Sequence, residues 1–239
     1  MPNLQVIQKD VTDALAREVF GPLDCEDYGI VVLKGATSWS DAAEALPFRI
    51  SHDEREAPFV IDDEGREQSD IKISFSDEND YIACAWARTK DGSRLLGVGI
   101  DLASTDDFGD KPAAQRFISL LFSDREHEIA RDAYEADPSF AYAMLFGAKE
   151  AAFKATAQPL RSWYDTRDEE LAFEVRHFSM VDPGIERGEQ RNGSAQHAMD
   201  RMGVSLISIH HVPLDGMALV VATALSRLGE PEVSHDDQQ

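Results

Sequence analysis

Glu150 and Lys154 stand four residues apart in Phe146-Gly-Ala-Lys-Glu-Ala-Ala-Phe-Lys-Ala155. On a helix that spacing puts the carboxylate and the ammonium on one face, while Phe146 and Phe153 anchor the apolar side. Such a pair has two readings. One is an exposed ion pair contributing about 0.3 kcal/mol to its helix. The other is part of a charged site, and Asp101 weighs for it. Asp101 ends the run Leu95-Leu-Gly-Val-Gly-Ile-Asp-Leu102, which is apolar enough for a buried strand. An acid there is costly to bury unless it meets a cation or a metal.

The elements that must position these three residues follow from the pattern around them. Ile71–Ser76 and Tyr81–Trp86 flank Asp77-Glu-Asn-Asp80 as a hairpin, and a turn at Lys90–Ser93 leads on to the strand of Asp101. Three strands in close succession predict an antiparallel meander. The Gly97-Val-Gly99 pair does not make a dinucleotide fingerprint, because the third glycine position holds Leu102. Downstream, Ala113–Phe122 reads as a helix, and Ser123-Asp-Arg-Glu126 as the capping box of the next. Pro138 breaks the pattern before a helix over 140–157, which Pro159 ends.

Upstream, residues 10–20 read as a helix capped by Asp10, Gly29–Leu33 as a strand and Ser38–Leu46 as a second helix. Residues 51–70 read as an acidic connection carrying one short strand at Phe59–Ile61. Leu171–Phe178 alternates as a strand, and Val204–His210 and Met217–Ala224 pair across Pro213-Leu-Asp-Gly216. The polar, glycine-punctuated stretch 184–194 is expected to be a mobile loop, and the tail 229–239 disordered. Helices alternating with antiparallel strands predict an α+β fold.

Gly-Ile-Asp-Leu at 99–102, Phe-Ile-Ser-Leu-Leu-Phe-Ser-Asp-Arg-Glu at 117–126 and Phe-Gly-Ala-Lys-Glu-Ala-Ala-Phe-Lys-Ala at 146–155 together resemble the ordered signature of the 4′-phosphopantetheinyl transferases. The resemblance covers about 71–160 well, the C-terminal strands more loosely, and the first seventy residues by length and position. It implies two similar α+β halves, a pseudo-dimer with antiparallel sheets meeting at a cleft, as in the longer, monomeric branch. The halves are expected over 1–94 and 95–228. It further implies transfer of the 4′-phosphopantetheine arm from coenzyme A, as co-substrate, to a serine of an apo acyl or peptidyl carrier protein.

On the matching positions, Asp101 and Glu150 become the carboxylates of a magnesium site, and Lys154 the cation that reaches the pyrophosphate. The serine proton goes to Glu150, to a metal-held water or to Lys149, with Glu150 preferred. Lys149 lies about a hundred degrees round the helix from Glu150, so a structural cation is the competing reading. Ser74-Phe75-Ser76 falls where the longer branch tends to have Ser-His-Ser, which assigns Ser74 and Phe75 to the coenzyme. Phenylalanine cannot donate the histidine's hydrogen bond. A further acid often found two residues after the strand-end aspartate is here Ala103. The rival to an enzyme is a binding protein of the same fold that recognises a carrier or another partner.

Composition bounds the partners. A formal net charge of -22 repels nucleic acid and anionic lipid at long range, so neither is an expected partner. Coenzyme A and carriers are acidic as well, so the 23 Lys and Arg residues have to be concentrated near the site. Two cysteines, no apolar run of membrane-spanning length and no basic-then-apolar leader predict a cytoplasmic chain. His210 and His211, adjacent on a strand, face opposite ways and cannot chelate one ion together. Trp86 and Trp163 read as core or cleft wall.

Overall fold

The computed structural model describes residues 4–36, 43–52, 57–133, 136–156, 175–182, 185–190 and 203–226. They form two similar α+β halves, each an antiparallel sheet with a helix laid on it. The first half contains β1 (Gln5–Val6), α1 (Lys9–Phe20), β2 (Cys25–Lys34), a separate hairpin of β3 (Arg49–His52) and β4 (Pro58–Ile61), then β5 (Ile71–Glu78) and β6 (Tyr81–Thr89). Its main sheet has the order β1-β2-β6-β5. The second half runs β7 (Leu95–Ser104), α2 (Pro112–Leu121), α3 (Asp124–Ala133), α4 (Pro138–Ala155), β8 (Val175–Asp182), β9 (Ile185–Gln190), β10 (Val204–Leu214) and β11 (Met217–Ser226). Its sheet has the order β7-β11-β10-β9-β8.

The sheet of the second half is buried on both faces, which explains why β7 and β11 read as continuous apolar runs. Val98, Ile100 and Leu102 share a core with Leu219, Val221 and the α1 residues Leu15, Val19 and Phe20. On the opposite face, Ala103, Val220, Ala222 and Ala224 pack with Met144, Ala148, Ala151 and Ala152 of α4. So α4 and the first half clamp one sheet between them. The β10–β11 turn uses Asp215 and Gly216, both at positive φ, the backbone that a tight hairpin needs.

Several expectations are corrected. β7 does not extend a meander: it leaves β6 and pairs antiparallel with β11, where both of its apolar faces find cover. Residues 185–190 of the expected loop form β9, because the edge of β10 supplies backbone partners whatever the side-chain polarity. Gln8, at φ 43, takes the N-cap position of α1 in place of Asp10, which lies in the first turn. Pro138 is the first residue of α4 rather than a break before it, and Asp137 accepts the Phe140 amide at 3.0 Å as the cap. A further strand, β3, begins before the acidic connection, runs into its first two residues and pairs with β4. The expected helix at 38–46 falls largely outside the described residues; residues 171–174, Pro159, Trp163 and the tail lie wholly outside them.

Candidate active site

Small residues bring α4 down onto β7. A Cβ on Gly99 would lie 1.8 Å from the Ala151 carbonyl oxygen, and one on Gly97 1.9 Å from that of Ala155. Only glycine permits backbones to come so near. The same contact sets the site, since a Cβ on Gly147 would lie 3.5 Å from Asp101 Oδ2. The helix therefore runs antiparallel to the strand, with the face of residues 147, 151 and 154 turned to it and Glu150 on its flank.

Asp101 is 5% exposed. Lys154 Nζ donates to its Oδ1 at 2.7 Å and to the Ile100 carbonyl at 3.1 Å. Ser76 donates to the same Oδ1 at 2.9 Å, while its oxygen accepts the Leu102 amide at 3.1 Å. Oδ2 is buried without a hydrogen-bond partner. Burial pushes the Asp101 carboxyl up, opposed by the Lys154 ammonium and the Ser76 hydroxyl. Lys154 keeps 28% of its side chain exposed, and an ammonium has three N–H donors of which two are used here. One acid oxygen is oversupplied with donors and the other has none.

Glu150 is partly exposed on the flank of α4, one turn from Lys154. Lys149 is elsewhere: about 160° round the helix from Gly147, it pairs with Glu126 at 2.7 Å and donates to the Leu121 carbonyl at 2.9 Å. Its side chain is 4% exposed and its ammonium lies over the Phe122 ring, so it joins α4 to α3 as a structural cation. The Ser74 hydroxyl accepts the Ile100 amide at 3.2 Å, on the β5 face that also carries Ser76. Phe75 points to the other face of β5 and is buried with Leu33, Ile82 and Cys84. His210 and His211 are both buried in β10.

Residues 97–201 match the model of the 4′-phosphopantetheinyl transferase superfamily. That segment carries Asp101, Lys149, Glu150 and Lys154 and spans less than half of the chain's 239 residues. The match supports the assignment at superfamily level and phosphopantetheinyl-transfer chemistry in general. No curated protein matches the chain.

Members of this superfamily typically use magnesium and coenzyme A. Magnesium takes one or two protein carboxylates, keeps several waters and meets substrate phosphate oxygens. Among the described residues no three His, Cys, Asp or Glu side chains gather as a group able to hold a metal ion. A two-carboxylate site completed by water and substrate remains, and the bare, buried Oδ2 of Asp101 fits it: an ion there would supply the partner that the oxygen lacks.

A pocket of about 510 Å³ is lined by Glu78, Ala103, Ser104, Asp107, Phe117 and Phe146 among others; Asp101, Glu150 and Lys154 are not among its lining residues, though Ala103 and Phe146 are close to Asp101 and Gly147 along β7 and α4. Sequence reasoning missed Ser76, Glu78 and Asp107. Ser76 left one signal, the Ser-x-Ser alternation that puts two hydroxyls on one face of a strand. Glu78 and Asp107 stand in acidic runs that read most simply as solvated surface.

Proposed function

We propose that the chain transfers the 4′-phosphopantetheine arm of coenzyme A to the serine of an apo acyl or peptidyl carrier protein, with magnesium. The observation that carries this reading is the buried, partnerless Oδ2 of Asp101 beside α4, inside the segment that matches the superfamily. The magnesium ion, when bound, neutralises the pyrophosphate and makes its phosphorus easier to attack.

The chain's own residues do the rest. Asp101 and Glu150 are the carboxylates that would hold the ion. Lys154 turns its remaining N–H toward the pyrophosphate and balances the charge that gathers on the leaving phosphate. Glu150, directly or through a water, takes the proton from the carrier serine as its oxygen bonds to phosphorus. The phosphorus–oxygen bond to the second phosphate breaks, and adenosine 3′,5′-bisphosphate departs. Lys149, committed to Glu126, takes no proton.

A second reading has its own support. Ser74 and Phe75, expected at the coenzyme, are spent on the β5–β7 contact and the core. A protein that binds a carrier without efficient transfer would tolerate that. Incubation with coenzyme A, magnesium and a panel of apo carriers, read by mass spectrometry, separates the two: transfer adds the phosphopantetheine mass to a carrier. Carrier binding with no mass gain on any of them favours the binding protein. Glu150→Gln is expected to lower transfer by at least about 10³-fold, with an unchanged thermal midpoint.

A further inference from the structure

Ser74 meets the amide of Ile100 and Ser76 that of Leu102, so β5 and β7 run parallel and in step, two residues for two. Side chains two apart share a face of a strand. Carried on by two, this register sets Glu78 level with Ser104 and beside Ala103, on the face of β5 that holds Ser76 against Asp101. Glu78 and Ala103 both line the pocket. On β7, Ala103 is the next residue after Asp101 on the face turned to α4. On α4, Phe146 lines the pocket, and a Cβ on its neighbour Gly147 would lie 3.5 Å from Asp101 Oδ2. The pocket thus lies next along both elements from Asp101, which does not itself line it.

Glu78 is a partly buried carboxylate in the wrong company. Burial, and after it the charges of Asp107, Asp101 and Asp77, push its carboxyl up. Its hydrogen-bond donor is the neighbouring Asn79 amide at 2.8 Å, and no ion pair forms with it among the described residues. Two acids, Glu78 and Asp107, line this half-enclosed space, and Asp101, whose charge reaches Glu78, carries a buried bare oxygen, an arrangement that calls for a cation. Ala103 offers no ligand on that side.

We propose that Glu78 is the outer carboxylate of the cation site, holding a water of the magnesium shell and so orienting the ion that Asp101 and Glu150 grip. This rests on the reading of Asp101 and Glu150 given above. Glu78 is a positioning residue, one step removed from the metal.

Binding of Mn2+ to the purified full chain, followed by the electron paramagnetic resonance of the free ion, tests it without any transfer assay. Glu78→Gln is expected to weaken Mn2+ binding by about 10-fold or more, the usual effect of removing an outer partner. Asp77→Asn removes the same charge one residue away on the opposite face of β5 and is expected to change it by less than about 3-fold. Circular dichroism checks that each variant is folded. Equal effects of the two substitutions, or none from Glu78→Gln, overturn the role of Glu78. If Glu150→Gln still abolishes binding in that case, the two-carboxylate site stands. A wild-type chain that binds no Mn2+ overturns both.

Discussion

Two acid–lysine pairs lie on opposite sides of α4, and they are built on opposite plans. Glu126 and Lys149 are sealed from water, at 0% and 4% exposure, and well supplied. Glu126 also accepts the Ser123 amide at 2.9 Å, and the Ser123 hydroxyl accepts the Glu126 amide in return at 3.3 Å. That capping box starts α3, and the Lys149 bond to Leu121 ties in the end of α2. Across the helix, Asp101 and Lys154 leave one oxygen bare and one ammonium partly exposed. A buried pair with its hydrogen bonds satisfied holds helices together. A buried pair left incomplete on one side is poised for a third party.

Breaking the sealed pair gives the largest expected change in stability. Lys149→Met leaves the Glu126 carboxylate buried without its cation and is expected to cost about 3–5 kcal/mol, measured by urea unfolding. Adding Glu126→Gln to it removes the orphaned charge and is expected to recover at least about half of that loss, because the two residues form one unit. The same exchange of acid for amide on the other side has the opposite outcome. Folding raises the Asp101 carboxyl above its ordinary value of 3.8, so its ionised form is what folding disfavours. Asp101→Asn is therefore expected to leave the thermal midpoint equal or higher, while Mn2+ binding is lost. A midpoint that drops as far as that of Lys149→Met would erase the contrast.

The smallest effect belongs to a third, exposed group between the halves, where Tyr81 donates to Asp215 and Lys34 lies 3.6 Å from the same carboxylate. The Tyr81 hydroxyl, then Lys34, hold Asp215 below its ordinary 3.8. A carboxyl lowered by folding contributes above its unfolded value, and that contribution fades as pH falls through the lower, folded one. Asp215→Asn is expected to lower the melting temperature slightly at pH 7, and the difference from wild type is expected to close under acid titration.

How far the chain could be read depended on whether a residue's partners were near in sequence. Asp101, Glu150 and Lys154 stand out in the sequence, because an acid in an apolar run and a pair at helical spacing are local patterns. So is the capping box at Ser123–Glu126, which the structure bears out bond for bond. The strand expected to end at Asp101 continues to Ser104, since β11 goes on pairing with it. Lys149 was ambiguous for the opposite reason: its partner lies 23 residues upstream on another helix. Position in the chain alone assigns Phe75 and Ser74 to the coenzyme and says nothing of strand alternation, which turns Phe75 into the core and Ser74 toward β7. β7 itself was assigned as a strand correctly and to the wrong neighbour, since an apolar run says that it is buried and not beside what.

The seam between β5 and β7 has a consequence for how the halves act together. No ladder of main-chain bonds zips these two strands; two serine hydroxyls do the stitching. A slip of one two-residue step would bring Glu78 level with Leu102 and carry the hydroxyl of Ser76 away from Asp101. The seam therefore works as a key with a single setting: the N-terminal half indexes the acid of the C-terminal half, and whatever loosens their joint detunes the chemistry first.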